Sequence, residues 1–179
     1  MKTDLSKFDN SWYDAGSSLK RGTWFMINAL IFQNPIVPFV GLKRVLLRVF
    51  GAKIGKGVII KPTVNIKYPW NLTIEDYAWI GEHVWIDSLG KVFIGKSACI
   101  SQGALILSGN HDYKKENFDL IIKEIRIEDG VWIGAKSVVC QGVVCKSHAV
   151  LTVGSVATKD LEAYSIYQGT PAVKLRERI

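Results

Sequence analysis

Large apolar residues recur at a six-residue step through most of this chain. They run as Ile54, Ile60 and Ile66; Ile74, Ile80 and Ile86; Ile94, Ile100 and Ile106; then, after a gap, Ile127, Ile133 and Val139, and Cys145, Leu151 and Ala157. A step of six matches neither the turn of an α-helix nor a simple hairpin connection. It suits a coil with three flat sides, each a short strand, joined by tight corners. Two residues before most of these positions stands a second, generally smaller series: Val58, Val64, Leu72, Ala78, Val84, Val92, Ala98 and Ala104, then Ile125, Val131, Ser137, Val143, Ala149 and Ser155. Residues two apart on a strand share a face, so both series are expected to point inward.

The spacing between groups sets the number of coils. Ile54 to Ile74 and Ile74 to Ile94 are each 20 residues, three hexads with two insertions, whereas Ile127 to Cys145 is 18, a bare coil. Ile94 to Ile127 is 33, an excess of 13 over the 20-residue coil, which predicts an external loop near residues 107–124. Five triangular coils stacked at the usual strand separation would make a parallel prism about 20–25 Å long with a continuous apolar centre. The expected fold is therefore all-β. The prism would occupy residues 54–161, with an arm and helical cap over 1–53 and a short C-terminal helix or tail over 162–179, all in one structural domain.

A bare first coil would expose apolar centre and unpaired backbone, so a cover at that end has a physical task. Residues 1–21 are polar with Phe8, Trp12 and Tyr13 among them, and read as an extended arm packed across a neighbouring surface. Residues 22–34 read as a helix stopped by Pro35 and Pro38, and Leu42 to Phe50 as a second helix with one apolar side. The stretch 23–42 is strongly apolar, but Asn28, Gln33, Asn34 and two prolines make it a poor membrane span. It suits a cover for the prism, or contact with a membrane surface.

No secretory leader is evident, and three cysteines, Cys99, Cys140 and Cys145, cannot all pair within the chain. Cys145 stands at a leading position and is expected as a buried thiol, so a reducing cytoplasmic setting is the simpler reading, with the inner face of the membrane as its extension. The balance of 23 Lys and Arg against 16 Asp and Glu gives +7 and draws anionic partners of many kinds. No interleaved basic and aromatic run or zinc-finger spacing accompanies it, which argues against nucleic acid. Trp70, Tyr77, Trp79 and Trp85 fall mostly between inward positions and suggest contact with another subunit.

Three histidines are present, His83, His111 and His148. His111 lies between Asn110 and Asp112 at the base of the long excursion, and loops on a stiff scaffold are favourable places for chemistry. A neutral imidazole there can take the proton of an alcohol that attacks an acyl carbonyl. Asp112 is a candidate to orient the ring. Asp87, which follows Ile86 at the end of the second coil, is a candidate to hold an acceptor hydroxyl, as is Asn110. Two other readings stay open on these residues: a zinc site built from the three histidines at subunit boundaries, as in carbonic-anhydrase-like β-helices, and a scaffold without catalysis whose aromatics bind other proteins.

The hexads IGKGVI, IGEHVW, IGKSAC, IEDGVW and IGAKSV, with NHD, VWIGA, VGSVATKD and GTPAV in order, resemble the hexapeptide-repeat acyltransferases. The stretch FGAKIGKGVIIKPTVNIKYPWNLTIEDYAWIGE and the ending GTPAVKLRERI are similar, more narrowly, to colanic acid biosynthesis acetyltransferases. The resemblance implies a left-handed parallel β-helix, a homotrimer with active sites between subunits, and transfer of acetyl from acetyl-CoA to a hydroxyl without a metal. It implies His111 as general base. Trp132, Gly134 and Ala135 would lie along the pantetheine arm, with Gly154 and Ser155 on its continuation. Lys159 and Arg176 would meet phosphates and the Pro171 turn would flank the adenine. The acceptor it implies is a saccharide, free or lipid-linked, in exopolysaccharide assembly.

Overall fold

The computed structural model describes residues 2–179, and its core is a left-handed parallel β-helix. Each hexad contributes one short strand to one of three parallel sheets. The first sheet aligns Ile54, Ile74, Ile94, Ile127 and Cys145 in register. The second aligns Ile60, Ile80, Ile100, Ile133 and Leu151, and the third Ile66, Ile86, Ile106, Val139 and Ala157. The leading residues after Ile54 are buried, and so is every member of the second series, including Ser137 and Ser155. Stacked, mostly branched side chains thus fill the centre of the prism as one apolar core.

The repeat runs further than expected. Leu161 bridges to Cys145 in the first sheet, and Tyr167 pairs with Leu151 in the second, so a sixth turn begins above the fifth coil. The expected C-terminal helix or tail is instead a hairpin. Its strand Ser165–Gly169 lies parallel to Val150–Leu151, and Ala172–Glu177 returns antiparallel along it. Backbone pairing with the last rung of the second sheet, and burial of Tyr167 on that rung, hold this segment extended.

The opposite end is closed by two helices. The first, α1 (Ser18–Ile27), is capped by the Ser17 side chain and continues as a single wider turn, Asn28–Phe32. The expected arm therefore ends at Ser17 and the expected helix starts earlier. Proline-containing residues 33–39 lead to α2 (Val40–Val49). These helices satisfy the open edge of the first coil residue by residue. Trp24 Nε1 donates to the Ile66 carbonyl at 2.8 Å, and Asn28 Oδ1 accepts from the Ile66 N–H at 3.2 Å. Lys43 Nζ donates to the Lys61 carbonyl at 3.0 Å, and the Arg48 guanidinium donates to the Ile54 and Gly55 carbonyls. Burial of Lys43 lowers the pKa of its ammonium.

The N-terminal arm lies against its own chain. The Asp4 N–H donates to the Glu116 carbonyl at 2.8 Å, Lys7 pairs with the Glu116 carboxylate at 2.7 Å, and the Tyr13 hydroxyl donates to the Leu89 carbonyl at 2.7 Å. The 13-residue excess between Ile94 and Ile127 becomes an antiparallel pair, Gly109–His111 with Leu120–Ile122, closed by a turn over residues 112–119.

Candidate active site

His111 ends the first strand of that excursion, directly opposite Leu120. Its Nδ1 lies 2.9 Å from the Phe118 carbonyl oxygen. A carbonyl only accepts, so the contact assigns the proton of the neutral ring to Nδ1 and leaves the lone pair on Nε2. The Phe118 ring stacks on the imidazole at 4.4 Å between centroids, and Phe8 of the arm approaches at 5.5 Å. These contacts fix the ring plane. His111, Phe8, Tyr13, Lys67, Tyr68 and Leu89 border a cleft of about 480 Å³ between arm, excursion and prism.

Asp112 makes no hydrogen bond to this ring, whose Nδ1 is held by the Phe118 carbonyl, and its Oδ1 accepts from the Lys114 N–H at 3.0 Å. Asn110 is exposed, and its Oδ1 accepts from the His111 N–H at 2.8 Å. Asp87 is buried and pairs with Lys67 Nζ at 3.1 Å. One of its carboxylate oxygens lies 3.5 Å from where a side chain at Gly109 would begin, which places Asp87 beneath the strand that carries His111. Burial holds Tyr13, on the arm side of the cleft, up to about 12. Phe118 carries no signal in the sequence, and Phe8 and Tyr13 read there only as aromatics of the arm, not as residues beside His111. Only the pairing of His111 with Leu120 brings the Phe118 carbonyl to the ring.

A second cleft of about 370 Å³ lies where the second sheet turns toward the third. Trp132, Gly134, Ala135, Ser101, Thr152 and Val153 border it. Trp132 Nε1 donates to Ser101 Oγ at 2.9 Å, which fixes the indole. Gly134 is dictated by stacking, since a Cβ there would come within 2.6 Å of the Val153 nitrogen on the next coil. Trp132, Val150, Ile166 and Arg176 are consecutive partners across the second sheet, so Arg176 stands three strands beyond Trp132 in one row. Ser155 Oγ accepts from the Gly169 N–H at 3.0 Å, which ties the exposed Gly154 corner to the turn containing Pro171. Because Ser155 is buried, its side chain serves this tie from inside.

The two clefts share no lining residue. The excursion leaves at the corner between the third and first sheets, and in a triangle that corner lies opposite the second sheet. Lys159 is exposed at the same corner, two coils beyond the excursion, and so lies away from the row that ends in Arg176. Among the described residues no three His, Cys, Asp or Glu side chains cluster as a metal site, and no helix is long and apolar enough to cross a membrane.

A prism of hexad coils is the fold of solved hexapeptide-repeat acetyltransferases. A hexapeptide-repeat acetyltransferase of Vibrio cholerae, VCA0836, solved with acetyl-CoA, superposes with a TM-score of 0.82 at 24% identity, covering 93% of this chain and 91% of that one. A galactoside acetyltransferase solved with coenzyme A gives 0.80 at 24% identity, over 93% of this chain and 85% of the other. No family model matches the chain. In sequence it is 37% identical over 177 residues to WcaF of Escherichia coli K12, provisionally described as a colanic acid biosynthesis acetyltransferase, across 98% of this chain and 97% of WcaF. The chain belongs to that family and is an acetyltransferase.

Proposed function

We propose that this chain moves an acetyl group from acetyl-CoA to a saccharide hydroxyl in exopolysaccharide assembly, with His111 as general base. The observation that carries the reading is the contact between His111 Nδ1 and the Phe118 carbonyl, because it leaves Nε2 as the proton acceptor beside a cleft. The acceptor oxygen attacks the thioester carbonyl as Nε2 takes its proton. The tetrahedral oxyanion is stabilised by a backbone N–H, then collapses with cleavage of the carbon–sulfur bond, and the imidazolium returns the proton to the departing thiolate. Asp87 and Asn110 are the acceptor-side candidates. Asp112 is left to shape the turn.

The donor lies along the row from the Trp132 cleft, past Gly134, Ala135 and the Gly154 corner, toward Arg176 and Pro171. That cleft and His111 occupy different parts of one prism, so the reaction requires the second-sheet face of one subunit against the excursion corner of the next. A homotrimer arranges three such pairs and lets Lys159 reach the donor phosphates from the neighbouring subunit. The chain is one structural domain in this proposal, with a single apolar core from Trp24 to Tyr167. The enzyme acts in the cytoplasm at the inner face of the membrane, with a free or lipid-linked saccharide as acceptor.

The test is mass spectrometry of products after incubation with acetyl-CoA and free, nucleotide-linked and lipid-linked saccharides, with His111→Ala as control. A mass gain of one acetyl group on a saccharide, absent in the variant, is the expected result. Acetylation at equal rate by the variant rejects His111, and no acetylation of any saccharide rejects the acceptor class.

A further inference from the structure

The two cap helices are apolar on the wrong side for a face bathed in water. In the first, Trp24, Asn28 and Phe32 form the buried row, while Leu19, Met26 and Leu30 lie opposite it and are exposed. In α2 the buried row contains Lys43 and Leu47, while Leu42, Val45 and Val49 point outward. A lysine turned in and leucine and valine turned out reverse the usual amphipathic pattern. Ile36 and Phe39 in the connection are 83% and 65% exposed. Both helices lie across the open end of the prism, so these residues face away from its body.

Charge is equally uneven. From Ala15 to Ile74 the chain has nine Lys and Arg and no Asp or Glu, whereas the remaining 14 basic residues against 16 acidic ones leave the rest at −2. Some of the nine are engaged: Lys43 on a carbonyl, Lys67 on Asp87, and Lys61 within 3.7 Å of Glu82. Arg21, Arg44, Arg48, Lys53 and Lys56 form no ion pair among the described residues. Lys53 shares a cleft with Glu75 and Asp76, and the Lys56 N–H donates to Asp76, so the cations of the face itself are Arg21, Arg44 and Arg48 on the two helices. An exposed apolar surface whose own helices carry cations and no acid complements a surface that offers hydrocarbon beneath negative headgroups. A second copy of the same face would set like charges against each other, which disfavours self-association there.

We propose that α1, α2 and their connection form a docking face for an anionic lipid bilayer, with the chain lying on the membrane without crossing it. This rests on and sharpens the membrane element of the functional reading above, but the contact is measurable without turnover. A cleft of about 440 Å³ between α1 and the third sheet shares Arg21, Lys67 and Tyr68 with the His111 cleft. The docking face thus adjoins a path to the imidazole, and an acceptor anchored in the bilayer would approach from this end.

The test is flotation of the full chain with phosphatidylcholine vesicles and with vesicles containing phosphatidylglycerol. The chain is expected to float with the anionic vesicles, less at raised salt, and to remain behind with the neutral ones. Phe39→Glu with Val49→Glu should lower the bound fraction by about tenfold or more, with an unchanged thermal melt. Lys146→Glu, which shifts net charge equally at an exposed site near the far end, should bind as the parent does. Absence of flotation with anionic vesicles overturns the proposal, as does equal loss in the Lys146 variant. Dissociation of the double variant into a smaller species without vesicles reassigns the face to contact between copies of the chain. Transfer to free, nucleotide-linked and lipid-linked saccharides is followed in parallel: its absence from all of them beside normal flotation rejects the saccharide acceptor and leaves the docking face standing.

Discussion

Phe118 holds His111 in two ways at once, through its carbonyl at 2.9 Å from Nδ1 and through its ring, stacked at 4.4 Å and only 6° from parallel. Phe118 adopts a left-handed backbone conformation, with φ at 52°, at the close of the excursion's turn. The hydrogen bond selects the tautomer and the stack restrains the plane, so Nε2 is presented without further adjustment. His111→Ala should therefore lower acetyl transfer by about 10²–10⁴-fold, the usual scale for a general base. Calorimetry should show coenzyme A binding unchanged, because the donor row lies elsewhere on the prism. Normal turnover in this variant would remove the imidazole from the reaction.

The arm's attachment is expected to depend on pH at the alkaline end. Burial, reinforced by the nearby Tyr68 and Asp87, raises the Tyr13 phenol from an ordinary 10.0 to about 12. Between pH 10 and 12 the docked arm therefore keeps a proton that the released arm has lost. Docking is at full strength below pH 10 and weakens as pH rises toward 12, since the released state binds fewer protons. Limited proteolysis after Lys7 should accelerate across that window. Tyr13→Phe, which lacks both the titrating group and the donor to the Leu89 carbonyl, should show faster cleavage at neutral pH and a smaller alkaline rise, since the Lys7–Glu116 pair remains.

The inward rows were legible because nothing else can fill a triangular core: a side chain every six residues, stacked on its copies, must be apolar or small. The sixth turn was hidden because Leu161 and Tyr167 each follow their partners by 16 residues, which breaks the 18-residue count. His111 stood out by its place in the excursion. Its orienting partner did not, because every residue has a carbonyl and only the Gly109–His111 pairing selects that of Phe118. The arm's approach to the cleft was equally invisible, since Phe8 and Tyr13 reach it across more than 70 residues of sequence. Trp132 and Arg176 fell into one row, but Lys159 came out at the opposite corner, because a position in the hexad fixes a corner and not the subunit that will use it.

Arg176 sits in the Trp132 row on the outermost strand, exposed and without an ion pair among the described residues. If that row carries the donor, its phosphates meet Arg176 while its thioester lies far away. Arg176→Ala should raise the KM for acetyl-CoA by about tenfold, the loss of one charge-assisted contact, and leave kcat unchanged at saturation. Steady-state kinetics with varied acetyl-CoA separate the two. An unchanged KM would assign the side chain to solvent.

Gly134 has two possible duties, donor contact and coil stacking, and the packing distances favour the second. A methyl group there would come within 2.6 Å of the Val153 nitrogen and 2.7 Å of the Leu151 carbonyl oxygen, backbone atoms of the next coil that are fixed by the second sheet. Neither can withdraw without breaking the register of Trp132 and Ile133 with Val150 and Leu151. Gly134→Ala should therefore destabilise the chain by about 1–3 kcal/mol, the range for forced overpacking, in the absence of any ligand. Denaturant unfolding of the free protein measures this directly. A variant as stable as the parent but impaired in coenzyme A binding would instead make Gly134 a donor contact, because the loss would then appear only when the ligand is present.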